Sequence, residues 1–253
     1  MDKLYHLNFG KSDLGDNPPK IAFLSGDPAR AAQIAGTFFD KVTCLSEYRG
    51  LDSYMGKIGG VPILSTTSGM GAPSLSIMVN ELIQLGVETV IRVGTSGSIQ
   101  PDVKVGDVVI TSGSLCVQGA AHDIAPRDYP AHADPFVSVA LANSAKEQGK
   151  NYHLGITASV DTFYEGQGRV SGANPNLMRS HQGLVDEYQQ LNVLNFEMEA
   201  GTLFKMASVY GFKAGCVCAI IAERVESENV VMEMKNAAVD SAISVAVGAL
   251  KYL

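Results

Sequence analysis

The stretch KIAFLSGDPARAAQIAG, Lys20 to Gly36, decides the fold class. Its first six residues form an apolar run of strand length, with no polar alternation to mark a wet face. The residues after it are spaced for a helix. Asp27 is suited to cap that helix and Pro28 to sit in its first turn. Working outward, strand-like runs follow at 42–48, 51–58 and 61–67. A helix over 73–85 opens at Pro73, buries Leu75, Met78, Val79 and Leu82, and stops at Gly86. ETVIRVG (88–94), DVVITSGSL (107–115), YHLGITASVD (152–161), VLNFEM (193–198) and KAGCVCAIIAE (213–223) read as further strands. Helices are predicted over 136–148, from 198 to about 210, and over 231–252, the last carrying Val231, Met234, Ala238, Ile243, Val245 and Leu250. Strands alternating with helices imply parallel pairing. The prediction is an α/β fold: one domain over 1–253, a three-layer αβα sandwich around a mixed, largely parallel sheet.

Composition narrows the function. The chain has 253 residues, 46% of them hydrophobic, and no tryptophan, so aliphatic side chains must fill the interior. A net charge of −7 argues against a nucleic-acid surface. Any anion would meet a few placed arginines. No apolar run approaches the ~20 residues of a membrane span. The N-terminus has no apolar core of a signal peptide, and a cytoplasmic location is expected. Cys216 and Cys218 form C-x-C inside an apolar run, not a zinc or redox spacing, and read as buried thiols. No metal site is expected. His122, His132, His153 and His181 read as structural or exposed.

In sheets of this kind ligands bind at the carboxyl ends of strands. That rule selects SGDPAR, RVGTSGS, FYEGQGRV, NFEMEAG and IIAERV. SGDPAR offers backbone N–H groups at a helix start, with Arg30 in the first turn, where a cation opposes the macrodipole and is better placed facing an anion. RVGTSGS puts Arg92 in an apolar strand, where it needs a partner. Thr95 and the small residues after it can approach a phosphate, or Arg92 can pair with a core carboxylate. NFEMEAG sets Glu197 and Glu199 at a strand end. They suit acid–base work, acceptance of vicinal sugar hydroxyls, or favourable acids at a helix start. FYEGQGRV places Gln167 and Arg169 two residues apart after Phe163 and Tyr164.

In this order and spacing, SGDPAR, RVGTSGS, FYEGQGR and NFEMEAG resemble the nucleoside phosphorylase-I family, from about Tyr5 to the C-terminal helix. The resemblance implies reversible phosphorolysis of uridine to uracil and ribose 1-phosphate. Gly26, Arg30, Arg92 and Thr95 would hold phosphate, with Arg49 donated by a neighbouring subunit. Thr95, Met198 and Glu199 would hold ribose, Glu199 taking the 2′- and 3′-hydroxyls, and His6 of the neighbour would reach the 5′-hydroxyl. Gln167 and Arg169 would read the uracil edge, with Phe163, Glu197, Ile220, Ile221 and Arg224 around the base. The implied catalytic set is Arg30, Arg92, Gln167, Arg169 and Glu199. The resemblance further implies a homodimer unit within a homohexamer, with phosphate as co-substrate and no cofactor. It also implies a monovalent cation at the dimer interface, but the carboxylate that follows Arg49 in the family is Gly50 here. VSGANPN (170–176) departs from the family's aromatic–acid pattern. Purine-cleaving relatives place an aspartate after the strand near Ile221, where this chain has Ala222-Glu223-Arg224. Phosphorolysis of purine nucleosides, hydrolysis, and binding without catalysis are the competing readings. Glu223 as a purine-protonating acid is the feature that would favour the first.

Overall fold

A computed structural model describes residues 3–225, 229–230 and 232–253. Among them ten strands and seven helices alternate. β1 (Ile21–Ser25) leads directly into α1 (Pro28–Phe38). The Asp27 carboxylate accepts a hydrogen bond from the Ala29 amide at 2.9 Å, so the expected cap is in place. Then come β2 (Asp40–Ser46), β3 (Ser53–Ile58), β4 (Val61–Thr67), α2 (Ala72–Gln84), β5 (Thr89–Ser98) and β6 (Val108–Cys116). α3 (Gly119–Ile124), α4 (Pro135–Glu147), β7 (Tyr152–Ser159), α5 (Leu184–Gln190), β8 (Val193–Glu197) and α6 (Ala200–Tyr210) follow. The described chain ends with β9 (Lys213–Glu223), β10 (Asn229–Val230) and α7 (Met232–Gly248).

The strand order is β10-β9-β6-β7-β8-β5-β1-β4-β3-β2, and β9 also pairs with β5. β9, β6, β7, β8 and β5 therefore close on themselves, while β1 to β4 extend as a wing. β4, β1, β5 and β9 run parallel, as do β6, β7 and β8. Helices cover both faces. Leu75, Met78, Val79 and Leu82 of α2 pack with Leu203 and Phe204 of α6 on one side. Ile34 of α1, Leu141 of α4 and Ile243 of α7 share the core on the other. The three layers expected from the alternation are present.

Several details differ from expectation. RVGTSGS is not a loop after a strand: β5 runs on to Ser98. The glycines let it bend away from β1, which it pairs only as far as Arg92, and meet β8 at Gly97 and Ser98. α3 and α5 are short and were not legible as periodic segments. The C-terminal helix buries Ala238, Ile243 and Val245, but Met234 is exposed and Val231 lies outside the described residues. Cys216 and Cys218 are buried free thiols as expected, their sulfurs sharing a hydrogen bond at 3.7 Å.

Candidate active site

A cavity of about 480 Å³ opens at the carboxyl ends of β1, β5, β8 and β9. Gly26, Arg30, Arg92, Thr95, Phe163, Gln167, Arg169, Glu197, Met198, Glu199 and Ile221 all line it. Motifs as far apart as Gly26 and Ile221 thus meet in one place because parallel strands deliver their following turns to the same side of the sheet.

One end of the cavity is a charge cluster. Arg92 projects from the buried strand and is only 3% exposed. Its Nε donates to Glu197 at 3.0 Å, and a second guanidinium nitrogen pairs closely with Glu199. Burial opposes the charge on Arg92, but Glu199 and Glu197 outweigh it and hold the guanidinium above the ordinary arginine value. Gly94 leaves room for this arrangement. A Cβ there would lie 2.8 Å from Cys218 Sγ and 2.9 Å from Arg92 Nη2. Arg30 is also buried. One of its terminal nitrogens donates to the Val93 carbonyl at 3.1 Å, while its Nε has no hydrogen-bond partner among the described residues. Burial, and then the like charge of Arg92, lower its affinity for its proton. Arg30, buried beside a like charge and carrying an orphan donor, marks a place where an anion relieves both costs.

Glu197 and Glu199 converge on one guanidinium, yet they do different work. Glu197 Oε2 accepts from Arg92 and from the Glu199 and Ala200 amides, both at 2.8 Å, and Oε1 accepts the Ser159 hydroxyl. Burial pushes its carboxyl up against the pull of Arg92. An oxygen that accepts three N–H groups is still an acceptor, so Glu197 serves as an ionised brace at the start of α6. Glu199 Oε1 accepts the Gly71 amide at 2.6 Å and faces the cavity.

At the other end, Gln167 and Arg169 flank Gly168. That glycine has φ 67°, left-handed backbone that reverses the chain after the turn Glu165–Gln167. Arg169 donates to the Gln167 side-chain oxygen and, at 2.6 Å, to the Phe163 carbonyl. Its guanidinium carbon sits 3.7 Å from the centroid of the Phe163 ring. Both side chains are nearly buried, and Phe163 is half exposed. A flat slot edged by amide and guanidinium donors results.

Five residues singled out in the sequence lie elsewhere. Ile220 does not line the cavity: alternation along β9 turns it to the other face, against Val103 and Val109, while Ile221 faces in. Arg224 does not line it either. It donates to the Gln167 carbonyl at 2.8 Å and lies over the Phe196 ring, so it supports the slot from behind. Arg49 is exposed, with left-handed backbone (φ 59°), and His6 binds Glu81 at 2.7 Å beside a separate groove between α2, α3 and α6. Neither reaches the cavity of its own chain. Glu223 accepts the Val105 amide at 3.0 Å and faces Lys104, away from the cavity.

Residues 20–251 match the phosphorylase superfamily. The chain belongs to the phosphorylase superfamily. It is 43% identical over 228 residues to a uridine phosphorylase of Haemophilus influenzae, covering 90% of this chain and 89% of that protein. A uridine phosphorylase of Thermococcus kodakarensis is 41% identical over 88% of this chain and 79% of its own length. A guanosine phosphorylase of Halorubrum lacusprofundi is 30% identical over 87% of this chain and 83% of its own length. Membership gives the anion-friendly end and the flat slot a common purpose. Met70 and Lys235, which lie outside the selected motifs, also line the cavity, as does Phe196. Lys235 had no local signal, because a lysine in the first turns of an amphipathic helix looks like a solvated one.

Proposed function

We propose that this chain catalyses the reversible phosphorolysis of uridine to uracil and ribose 1-phosphate. One observation carries the reading: Arg30, Arg92 and Glu199 share a single cavity with Gln167 and Arg169. Phosphate is the nucleophile. Gly26, Arg30, Arg92 and Thr95 hold it below C1′ of the ribose, so proximity lowers the barrier. The Arg30 Nε is a donor ready for one of its oxygens. Glu199 takes the 2′- and 3′-hydroxyls beside Met198. Uracil lies against Phe163 and Ile221, with its carbonyls and N3–H at Gln167 and Arg169. As the glycosidic bond breaks, negative charge grows on the carbonyl oxygens. Donors fixed there bind the leaving anion better than the neutral base.

Arg49 and His6 belong to this reading as residues given to a neighbouring subunit. The working unit is a homodimer, three of which form a homohexamer, in a reducing cytoplasm. Among the described residues no helix is long and apolar enough to cross a membrane. Gly50 offers no side-chain oxygen to the monovalent cation implied at the interface.

The purine reading is weaker on one observation: Glu223 is held by the Val105 amide and Lys104, where it cannot deliver a proton to a base in the slot. The test is incubation with uridine or inosine, with and without phosphate. Ribose 1-phosphate should form from uridine only when phosphate is present, and inosine should be a poor substrate. Release of free ribose without phosphate would make the protein a hydrolase. Efficient inosine cleavage would overturn the pyrimidine assignment.

A further inference from the structure

The first turn of α6 carries Met198 and Glu199 into the cavity, and its backbone amides have no helical partners of their own. Side chains from other elements satisfy them in order. Glu197 takes the Glu199 and Ala200 amides, Ser159 takes the Gly201 amide at 2.9 Å, and Gln118 takes the Thr202 amide at 2.9 Å. Gln118 is completely buried. Its Oε1 also accepts the Thr202 hydroxyl at 2.8 Å, and its Nε2 donates to the Met198 carbonyl at 2.5 Å. It spans the β8–α6 turn from one side to the other and has no contact with the cavity itself.

We propose that Gln118 is a positioning residue for ribose: it fixes the Met198–Glu199 turn, and thereby the aim of the Glu199 carboxylate at the sugar hydroxyls. The inference rests on the proposed role of Glu199. Without Gln118 the Met198 carbonyl loses its side-chain donor, and the peptide between Met198 and Glu199 is held from its amide end alone, by Glu197. Among the described residues, the Glu199 carboxylate is held at its far end by Gly71 and Arg92. Arg92 is the group that phosphate claims. Once phosphate binds, the backbone turn is what keeps Glu199 aimed, and Gln118 is the side chain that pins its carbonyl.

The experiment compares uridine with 2′-deoxyuridine, which lacks one of the two hydroxyls. Gln118→Leu should lower kcat/KM for uridine by about 10–100-fold, the scale of a misplaced orienting group. It should lower kcat/KM for 2′-deoxyuridine distinctly less, with KM for phosphate little changed. Thr202→Val removes a hydroxyl from the same network but leaves the Met198 anchor, so the ratio between the two substrates should stay at wild type. If Gln118→Leu does not fold, Gln118→Glu, which keeps the acceptor for Thr202 and lacks a permanent donor for Met198, is read in its place. Glu199→Gln is measured alongside. If Glu199→Gln leaves the substrate ratio unchanged, the ribose reading fails and this inference with it. If Glu199→Gln compresses the ratio and the Gln118 variant does not, the positioning role alone is overturned.

Discussion

Gln167 and Arg169 show how a pair of residues becomes a reader of one molecular edge. Arg169 is steadied by the Phe163 carbonyl and ring and by the Gln167 oxygen, and the Gln167 carbonyl is steadied by Arg224. Neither side chain must be ordered when the base arrives, so little conformational entropy is lost on binding. Uracil offers acceptors where the guanidinium donates, whereas cytosine carries an amine at position 4, a mismatch that costs ~1–3 kcal/mol. Arg169→Ala and Gln167→Ala should each lower kcat/KM for uridine by roughly 10²–10³, the usual loss of one donor aimed at developing charge. Steady-state rates at varied uridine and phosphate will check this, with phosphate KM nearly unchanged. Glu223→Gln, outside the cavity, should leave uridine turnover near wild type. Wild-type rates in both slot variants would remove the uracil reading. The pair was legible in the sequence because two polar side chains interleaved with glycines have no use in an ordinary loop. Arg224 was placed only roughly, since nothing local says whether an arginine after a strand faces a ligand or the loop behind it.

At the scale of an element, α6 is the piece that positions the sugar site, and its fit against the sheet is tight. A Cβ added at Gly201 would lie 2.6 Å from Cys116 Sγ, 2.8 Å from Cys116 Cβ and 2.9 Å from Ser114 Oγ. All three belong to side chains of β6, and the Cys116 Cβ is fixed by its backbone and cannot turn aside. Glycine to alanine inside a helix ordinarily stabilises by about 1 kcal/mol. Here overpacking, typically ~1–3 kcal/mol, should win. Gly36 in α1 is the internal control, exposed and with nothing within 4 Å of an added Cβ. Gly201→Ala should lower the melting temperature by a few degrees, and Gly36→Ala should hold or raise it, as followed by calorimetry. An unchanged or raised Tm for Gly201→Ala would mean α6 is free to shift, and the rigid turn argued above would lose its support. The sequence disclosed α6 through its apolar spacing, but not what caps it. Gln118, Ser159 and Glu197 come from three separate segments, and capping by distant side chains leaves no local pattern.

At the scale of the molecule, strand alternation and helix periodicity are strong signals, and the three layers followed from them. What did not follow is the closure of β5 on both β8 and β9, because a strand that changes neighbours midway looks in sequence like a strand followed by a glycine-rich loop. The site was legible wherever a charged or amide residue interrupted an apolar strand end, as at Arg92 and Glu197. It was not legible for Lys235, which folding alone carries to the cavity. Two motif residues, His6 and Arg49, point away from the cavity of their own chain, although both stand near the surface. If each serves the neighbouring pocket, two defective chains can make one sound site. In a mixed dimer of Arg49→Ala and Glu199→Ala subunits, the pocket of the Arg49→Ala chain keeps its own Glu199 and receives an intact Arg49. The other pocket carries both lesions. Each homodimer should be nearly inactive. After dissociation and reassembly of an equimolar mixture, roughly half the dimers are mixed by random pairing, and each regains one working site. Uridine turnover of the isolated mixed dimer should therefore approach half the wild-type value per dimer. No recovery in purified mixed dimers would mean that each pocket is built from a single chain, and that Arg49 serves the surface on which it stands.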